Sequence, residues 1–212
     1  MSQSSEIDYI YKSRKTMIEL LKRQHYDVST YNEFSIHEVH TMFQSKQLDM
    51  MFTKQDGSKK AYVKYHLANN HLAKSLRPVN IYEYIDDLFN LEEVLKKTDD
   101  LIIIMRDEPN ETIQKTLKNI WEQDGIFVTI FNIKRLQFNI LEHSLVPTHK
   151  ILTDLERTEI YKTYHIKDNL SLPEISRFDP VALAICMRPG QVCEILRQSA
   201  VALSSKYYRI CV

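Results

Sequence analysis

The stretch LIIIMRDEPNETIQKTLKNIWEQDGIFVTIF, residues 101–131, decides the fold class. LIIIM (101–105) is a continuous apolar run of strand length, and IFVTIF (126–131) is a second. Between them, after Pro109, the residues Ile113, Leu117, Ile120 and Trp121 recur at helical spacing, and Gly125 ends the helix. Strand, helix and strand in this order predict a βαβ unit. Strands that are apolar on both faces belong inside a parallel sheet, so residues 1–138 are expected to form an α/β domain.

Upstream of that unit, Ser5 with Asp8 reads as a capping box, and Ile7, Ile10, Met17, Ile18 and Leu21 trace one helix face. Ser35 and Glu38 open a second helix carrying Ile36, Val39 and Phe43. His37 and His40, three apart on it, could hold a metal, but no third ligand stands near, so solvated histidines are expected. Strands are expected over 48–53 and 61–67, joined by KQDGSKK (54–60), where Asp56-Gly57 supplies the positive φ of a hairpin turn. Residues 68–80 show no period, and Pro78 breaks whatever precedes it. Ile81, Ile85, Leu88, Val94 and Leu95 then suggest helical segments interrupted near Asn90.

Residues 139–212 read differently, as a small α+β domain. Thr153 and Glu156 cap a helix ending near Tyr164, and Asp179-Pro180 starts another with proline at its first position. Arg188-Pro189-Gly190 turns the chain into QVCEILR, and YYRICV (207–212) returns as the second strand of an antiparallel pair.

Composition removes several function classes. Gly57, Gly125 and Gly190 are the only three glycines and stand far apart, which excludes a phosphate loop or a dinucleotide fingerprint. The chain has 28 basic and 28 acidic residues. Residues 1–138 hold 19 and 20 of them, leaving 9 and 8, so neither half is a basic nucleic-acid module. Cys186, Cys193 and Cys211 form no close pair of the kind a zinc site uses and are expected as buried thiols. No metal or cofactor is expected. No apolar run reaches membrane-spanning length and residues 1–15 lack a secretory core, so an intracellular, soluble protein is expected.

Four motifs near the end of the chain occur in a fixed order: EHSLVPTH (142–149), SLPEISRFDPVA (171–182), RPGQVCEILRQS (188–199) and YYRICV. Together they resemble the C-terminal domain of the fifth subunit shared by eukaryotic nuclear RNA polymerases, a family with archaeal members. YKSRKTMIELLKRQHYDVS (11–29) resembles the opening of the eukaryotic N-terminal half, which archaeal forms lack. The resemblance implies a noncatalytic polymerase subunit. Its C-terminal assembly domain (139–212) would dock on the largest subunit, and its N-terminal domain (1–138) would form a jaw beside downstream DNA. The jaw fold is similar to restriction-type nucleases in degenerate form. It implies a nuclear location for a cellular protein, or a virus factory or virion for a virus-encoded one. The partners implied are polymerase subunits and, weakly and without base reading, duplex DNA; neither a membrane nor a second copy of the chain is expected.

By that resemblance the docking residues are His143, Leu145, Val146, Pro147, His149, Arg197, Tyr208 and Arg209. Arginine suits the role because its planar guanidinium makes several charge-assisted bonds at once. The DNA-proximal residues are Pro109, Asn110, Thr112, Lys115 and Lys118 around the start of a helix, with Lys59 and Lys60 of the hairpin as a second patch. Asp107, Glu108 and Glu111 oppose the first patch. A nuclease is the rival reading. Its chemistry needs a strand-borne acid followed by an acid-x-lysine triplet, and here Tyr62-Val63-Lys64 has tyrosine at the acid position, with Asp49 and Asp56 not expected to complete it. A regulatory adaptor that uses the same C-terminal module is the third reading.

Overall fold

The computed structural model describes residues 3–67, 76–199 and 201–212. The chain divides into two compact units, Met1–Phe138 and Asn139–Val212.

The first unit opens with α1 (Gln3–Arg23), which buries Ile10, Met17, Ile18 and Leu21. The helix runs through Ser5, so the expected Ser5–Asp8 box does not mark its start. Asp8 instead meets Lys12 at 2.8 Å, one turn on. Helix α2 (Ile36–Gln44) has the expected box, with the Ser35 hydroxyl accepting from Glu38 N and Glu38 accepting from Ser35 N at 2.7 Å. A four-stranded sheet follows, in the order β1 (Met50–Thr53), β2 (Lys60–Tyr65), β3 (Asp100–Met105) and β4 (Phe127–Asn132). β1 and β2 are the predicted hairpin, with Gly57 at φ 70°. Helix α3 (Pro78–Ile85) begins at Pro78, so the proline starts the element that follows it. β2, β3 and β4 run parallel, and α4 (Glu111–Asp124) connects the last two. Every residue of β3 and β4 is buried, the physical reason for their unbroken apolar runs.

The interruption expected near Asn90 is a π-helical stretch, Asp86–Leu91. The part of the unreadable stretch that covers residues 68–75 lies outside the described residues. The sheet is covered on both faces. Ser13 of α1 approaches the Tyr65 hydroxyl on one face, and Tyr84 of α3 lies against Lys64 and His66 on the other.

The second unit is built on a sheet of order β5-β7-β8-β6. It comprises β5 (Thr148–Ile151), β6 (Glu174–Ile175), β7 (Val192–Ser199) and β8 (Leu203–Cys211), with α5 (Asp154–Thr163) and α6 (Pro180–Ala184). The Thr153–Glu156 box and the Asp179 cap form as expected, Asp179 accepting from Val181 N at 2.9 Å. Alternation along β7 and β8 gives the sheet two apolar layers. Cys193, Ile195 and Cys211 pack with Ala182 and Met187, while Val192 and Ile210 pack with Leu172 and the partly buried Tyr161 and Ile166. The three cysteines are buried thiols, and burial pushes the Cys211 thiol up to about 11. No helix among the described residues is long and apolar enough to cross a membrane.

Candidate interaction surfaces

β7 and β8 pair antiparallel with Cys193 opposite Arg209, Ile195 opposite Tyr207 and Arg197 opposite Ser205. Side chains alternate across a sheet, so Arg197, Tyr207 and Arg209 share the face of Cys193 and Ile195. The three form a ladder. The Arg197 guanidinium lies 4.7 Å from the Tyr207 ring centroid and that of Arg209 lies 5.5 Å from it. Arg209 also donates to the Glu174 carbonyl at 2.9 Å, which fixes it in place, whereas Arg197 is exposed. His149, opposite Ile195, belongs to the same face, and its Nδ1–H donates to the Pro147 carbonyl at 2.7 Å.

Tyr208 points to the other face. Its hydroxyl donates to Glu194 at 3.1 Å, its ring lies 5.7 Å from that of Tyr164, and burial with the Glu194 charge pushes its hydroxyl up to about 12. The expected docking set is therefore split, and a single flat contact with Arg197 does not include Tyr208. His143, Leu145, Val146 and Pro147 form the turn that enters β5. There the His143 ring nitrogen accepts from Leu145 N at 3.3 Å, and the Leu145 side chain is 84% exposed. Pro147 thus marks a strand entry. Sequence reasoning placed Tyr207 on the terminal strand but left it out of the docking set, and it missed Leu196, Val201 and Leu203, exposed apolar residues toward the end of the β7–β8 hairpin. The signal available was the alternation of YYR, which puts Tyr207 and Arg209 together.

In the first unit, Asn110 caps α4, its side-chain oxygen accepting from Ile113 N at 2.9 Å. That cap occupies one of the N-terminal donors a phosphate would use. Pro109 is half-buried, and Thr112, Lys115 and Lys118 are exposed on α4 together with Glu111 and Glu122. Glu108 is held by Arg135 at 3.1 Å. The outward face of α4 is of mixed charge.

The hairpin lysines expected as a second DNA-proximal patch both make contacts within the fold. Lys59 forms an ion pair with Asp100, whose side chain is only 1% exposed and which also accepts from the Tyr26 hydroxyl at 3.1 Å. The Lys60 ammonium reaches the Val94 carbonyl at 3.4 Å, and its backbone N–H donates to buried Asp99 at 2.8 Å. Both lysines are half-buried.

Asp49 is better placed than the sequence implies. It accepts from Lys64 at 2.6 Å and from Tyr65 N at 3.0 Å, and the Tyr62 hydroxyl stands 3.4 Å away. The acid and the lysine of a nuclease-type triplet do meet, but Tyr62 occupies the second acid's position, and its hydroxyl is pushed up to about 12 by burial and by Asp49. Asp56 is in the hairpin turn, bound to Ser58 at 2.6 Å. One carboxylate already neutralised by lysine is a poor hold for Mg²⁺. Among the described residues no group of three or more His, Cys, Asp or Glu could hold a metal ion, and His40 of α2 accepts from the Gln44 amide at 3.1 Å.

The family model described as RNA polymerase Rpb5, C-terminal domain, matches residues 138–211. Subunit Rpo5 of the DNA-directed RNA polymerase of Thermococcus kodakarensis is 43% identical over 76 residues, covering 36% of this chain and 92% of that protein. This chain belongs to the RNA polymerase Rpb5 family. A relative from Dictyostelium discoideum is named as subunit rpabc1 of DNA-directed RNA polymerases I, II and III. It is 25% identical over 207 residues, spanning 98% of this chain and 99% of its own. Subunit 5A of RNA polymerase V of Arabidopsis thaliana is 26% identical over 198 residues, or 91% and 83% of the two chains. The Rpb5 region matched by the family model contains every docking candidate from His143 to Arg209 and none of the DNA-proximal ones.

Proposed function

We propose that this chain is a noncatalytic subunit of a nuclear DNA-directed RNA polymerase, assembled through residues 139–212 onto the largest subunit. The observation that carries the reading is the Rpb5 match over residues 138–211, joined to relatives that span nearly the whole chain and are named as polymerase subunits. The Arg197–Tyr207–Arg209 face supplies the docking charges. Arg209 is preset by its bond to the Glu174 carbonyl, and Arg197 is exposed and able to take a carboxylate or carbonyl of the partner. The turn holding His143, Leu145, Val146 and Pro147 adjoins the same sheet and offers Leu145 as an apolar contact.

The first unit serves as a jaw near downstream duplex DNA. Its α4 face, with Thr112, Lys115 and Lys118, is the part that meets the backbone. Glu111 and Glu122 beside those lysines keep the contact weak and free of base reading. Lys59 and Lys60 take no part, because both are engaged within the fold. Nucleotide addition belongs to other subunits.

Affinity purification of the tagged chain from its source tests the reading. A complete polymerase is expected in near-equal amounts. Recovery of other factors without the largest subunit would overturn it in favour of an adaptor.

A further inference from the structure

A groove of about 520 Å³ lies in the first unit, where α3 and the π-helical stretch after it meet the end of α4. Ile85 and Ile126 line it as buried residues, and Val79 and Tyr82 as residues 63% and 47% exposed. Leu91, next in the chain to the lining residue Asn90, is 71% exposed. Large apolar side chains gathered on one surface mark a place where something docks. The polar lining is acidic. Glu83, Asp86 and Asp124 stand against Lys97, the one cation among the described lining residues, a balance of two negative charges. No described cation forms an ion pair with any of the three acids, whereas Glu6, Asp8, Asp49, Asp100 and Glu108 of the same unit each have one. Two of the three are already oriented: Glu83 accepts from the Asn80 amide at 3.2 Å, and Asp86 from the Asn90 amide at 2.8 Å. α4 ends at Asp124 with no basic residue in its last turn, so the negative end of its dipole reinforces the field.

We infer that this groove docks a segment of a partner polypeptide that presents an arginine or lysine between apolar side chains. Both parts of that description follow from the lining. Charge complementarity selects a basic side chain: Glu83 and Asp86 stand one helical turn apart, close enough to share one guanidinium. The same carboxylates repel a phosphate backbone, which excludes nucleic acid as the occupant. The apolar residues select a polypeptide over a bare cation, since an ion would leave Val79 and Tyr82 in water. The volume falls within the roughly 300–1,000 Å³ of pockets that enclose a small ligand, which is room for a few side chains of a short segment. Tyrosine beside a basic partner group is a frequent anchor of such contacts. None of these residues belongs to the docking set of residues 139–212 or to the α4 lysines, and the site is independent of the polymerase reading.

The test is a nuclear magnetic resonance titration of the ¹⁵N-labelled full chain at constant ionic strength, following the Ile126 and Lys97 amides and the Asn90 side-chain amide. The probes are the capped peptide Ala-Leu-Arg-Phe-Leu-Ala, the same peptide with Glu for Arg, the same peptide with Ser for Leu and Phe, and a short DNA duplex. Saturable shifts with the first peptide are expected, with both altered peptides at least about tenfold weaker and the duplex without effect at these amides. Val79, Glu83, Lys97 and Asp124 are exposed, so their variants keep the fold. Glu83→Gln and Asp124→Asn should each weaken binding of the first peptide about threefold and Lys97→Gln should tighten it about threefold, the scale of exposed charge pairs. Val79→Ser should weaken it about fivefold through lost apolar burial. Several results would overturn the assignment: no saturable shift, equal binding of the Glu peptide, tighter binding of the duplex, or no response to Glu83→Gln and Asp124→Asn. Shifts that grow with protein concentration in the absence of peptide would give the groove to a second copy of the chain and overturn it as well.

Discussion

Replacing Lys59 by alanine should destabilise the first unit far more than a hairpin-turn substitution ordinarily does. Asp100 is 1% exposed and the Lys59 side chain 23%, so the variant leaves a buried carboxylate without its cation. Breaking a fully buried pair costs about 3–5 kcal/mol. The partial exposure of Lys59, and the Tyr26 hydroxyl that still donates to Asp100, reduce this to about 2–3 kcal/mol. Trp121 is the only tryptophan and packs edge-on against Phe127 at 5.8 Å, so its fluorescence during urea unfolding reports the first unit alone. With a slope of about 2 kcal/mol/M, the midpoint should fall by about 1–1.5 M. Lys60→Ala removes only a 3.4 Å contact to a carbonyl and should cost under about 1 kcal/mol. A cycle with Asp100→Asn should return a Lys59–Asp100 coupling above about 1 kcal/mol. A midpoint change below about 0.25 M for Lys59→Ala would refute the reasoning and return Lys59 to the pool of free surface cations.

Arg197→Glu should lower association with the largest polymerase subunit by at least about tenfold in a binding assay, while Tyr208→Phe, on the opposite face, leaves it intact; equal effects would show that the ladder does not organise docking. Lys115→Glu with Lys118→Glu should reduce crosslinking of the assembled polymerase to downstream duplex without lowering recovery of the complex, and undiminished crosslinks would remove α4 from the DNA path. Hydrogen bonding from Lys150, and then from Thr153 N, holds the Glu156 carboxyl down to about 2 against an ordinary 4.5. The folded value lies below the unfolded one, so its support of α5 is complete above about pH 4.5 and is lost as pH falls toward 2. A carbon-13 titration of the Glu156 carboxyl with its midpoint near 4.5 would contradict this.

The short-range elements were readable from the chain because their causes are local. Ser35 and Glu38 close a helix end within one turn, Gly57 and Gly125 accept positive φ where hairpin and helix stop, and the apolar runs at 101–105 and 126–131 announce strands covered on both faces. Local evidence misled where a polar residue had an equally good alternative. Ser5 resembles a cap but sits inside a helix that starts earlier. The short strands β5 and β6 escaped notice because their patterns are too brief to show a period.

What the sequence alone determined, then, is the family, the order of the main elements and the absence of glycine-rich nucleotide loops, all of which depend on neighbours in the chain. Only the tertiary structure decided which charges are available. Strand pairing sets Lys59 on buried Asp100, Asp49 on Lys64, and Arg197 beside Tyr207 while turning Tyr208 away. The reason is physical: a side chain's face follows from strand register, and its charge partner from which strands lie side by side, and neither quantity is written in the residues next to it.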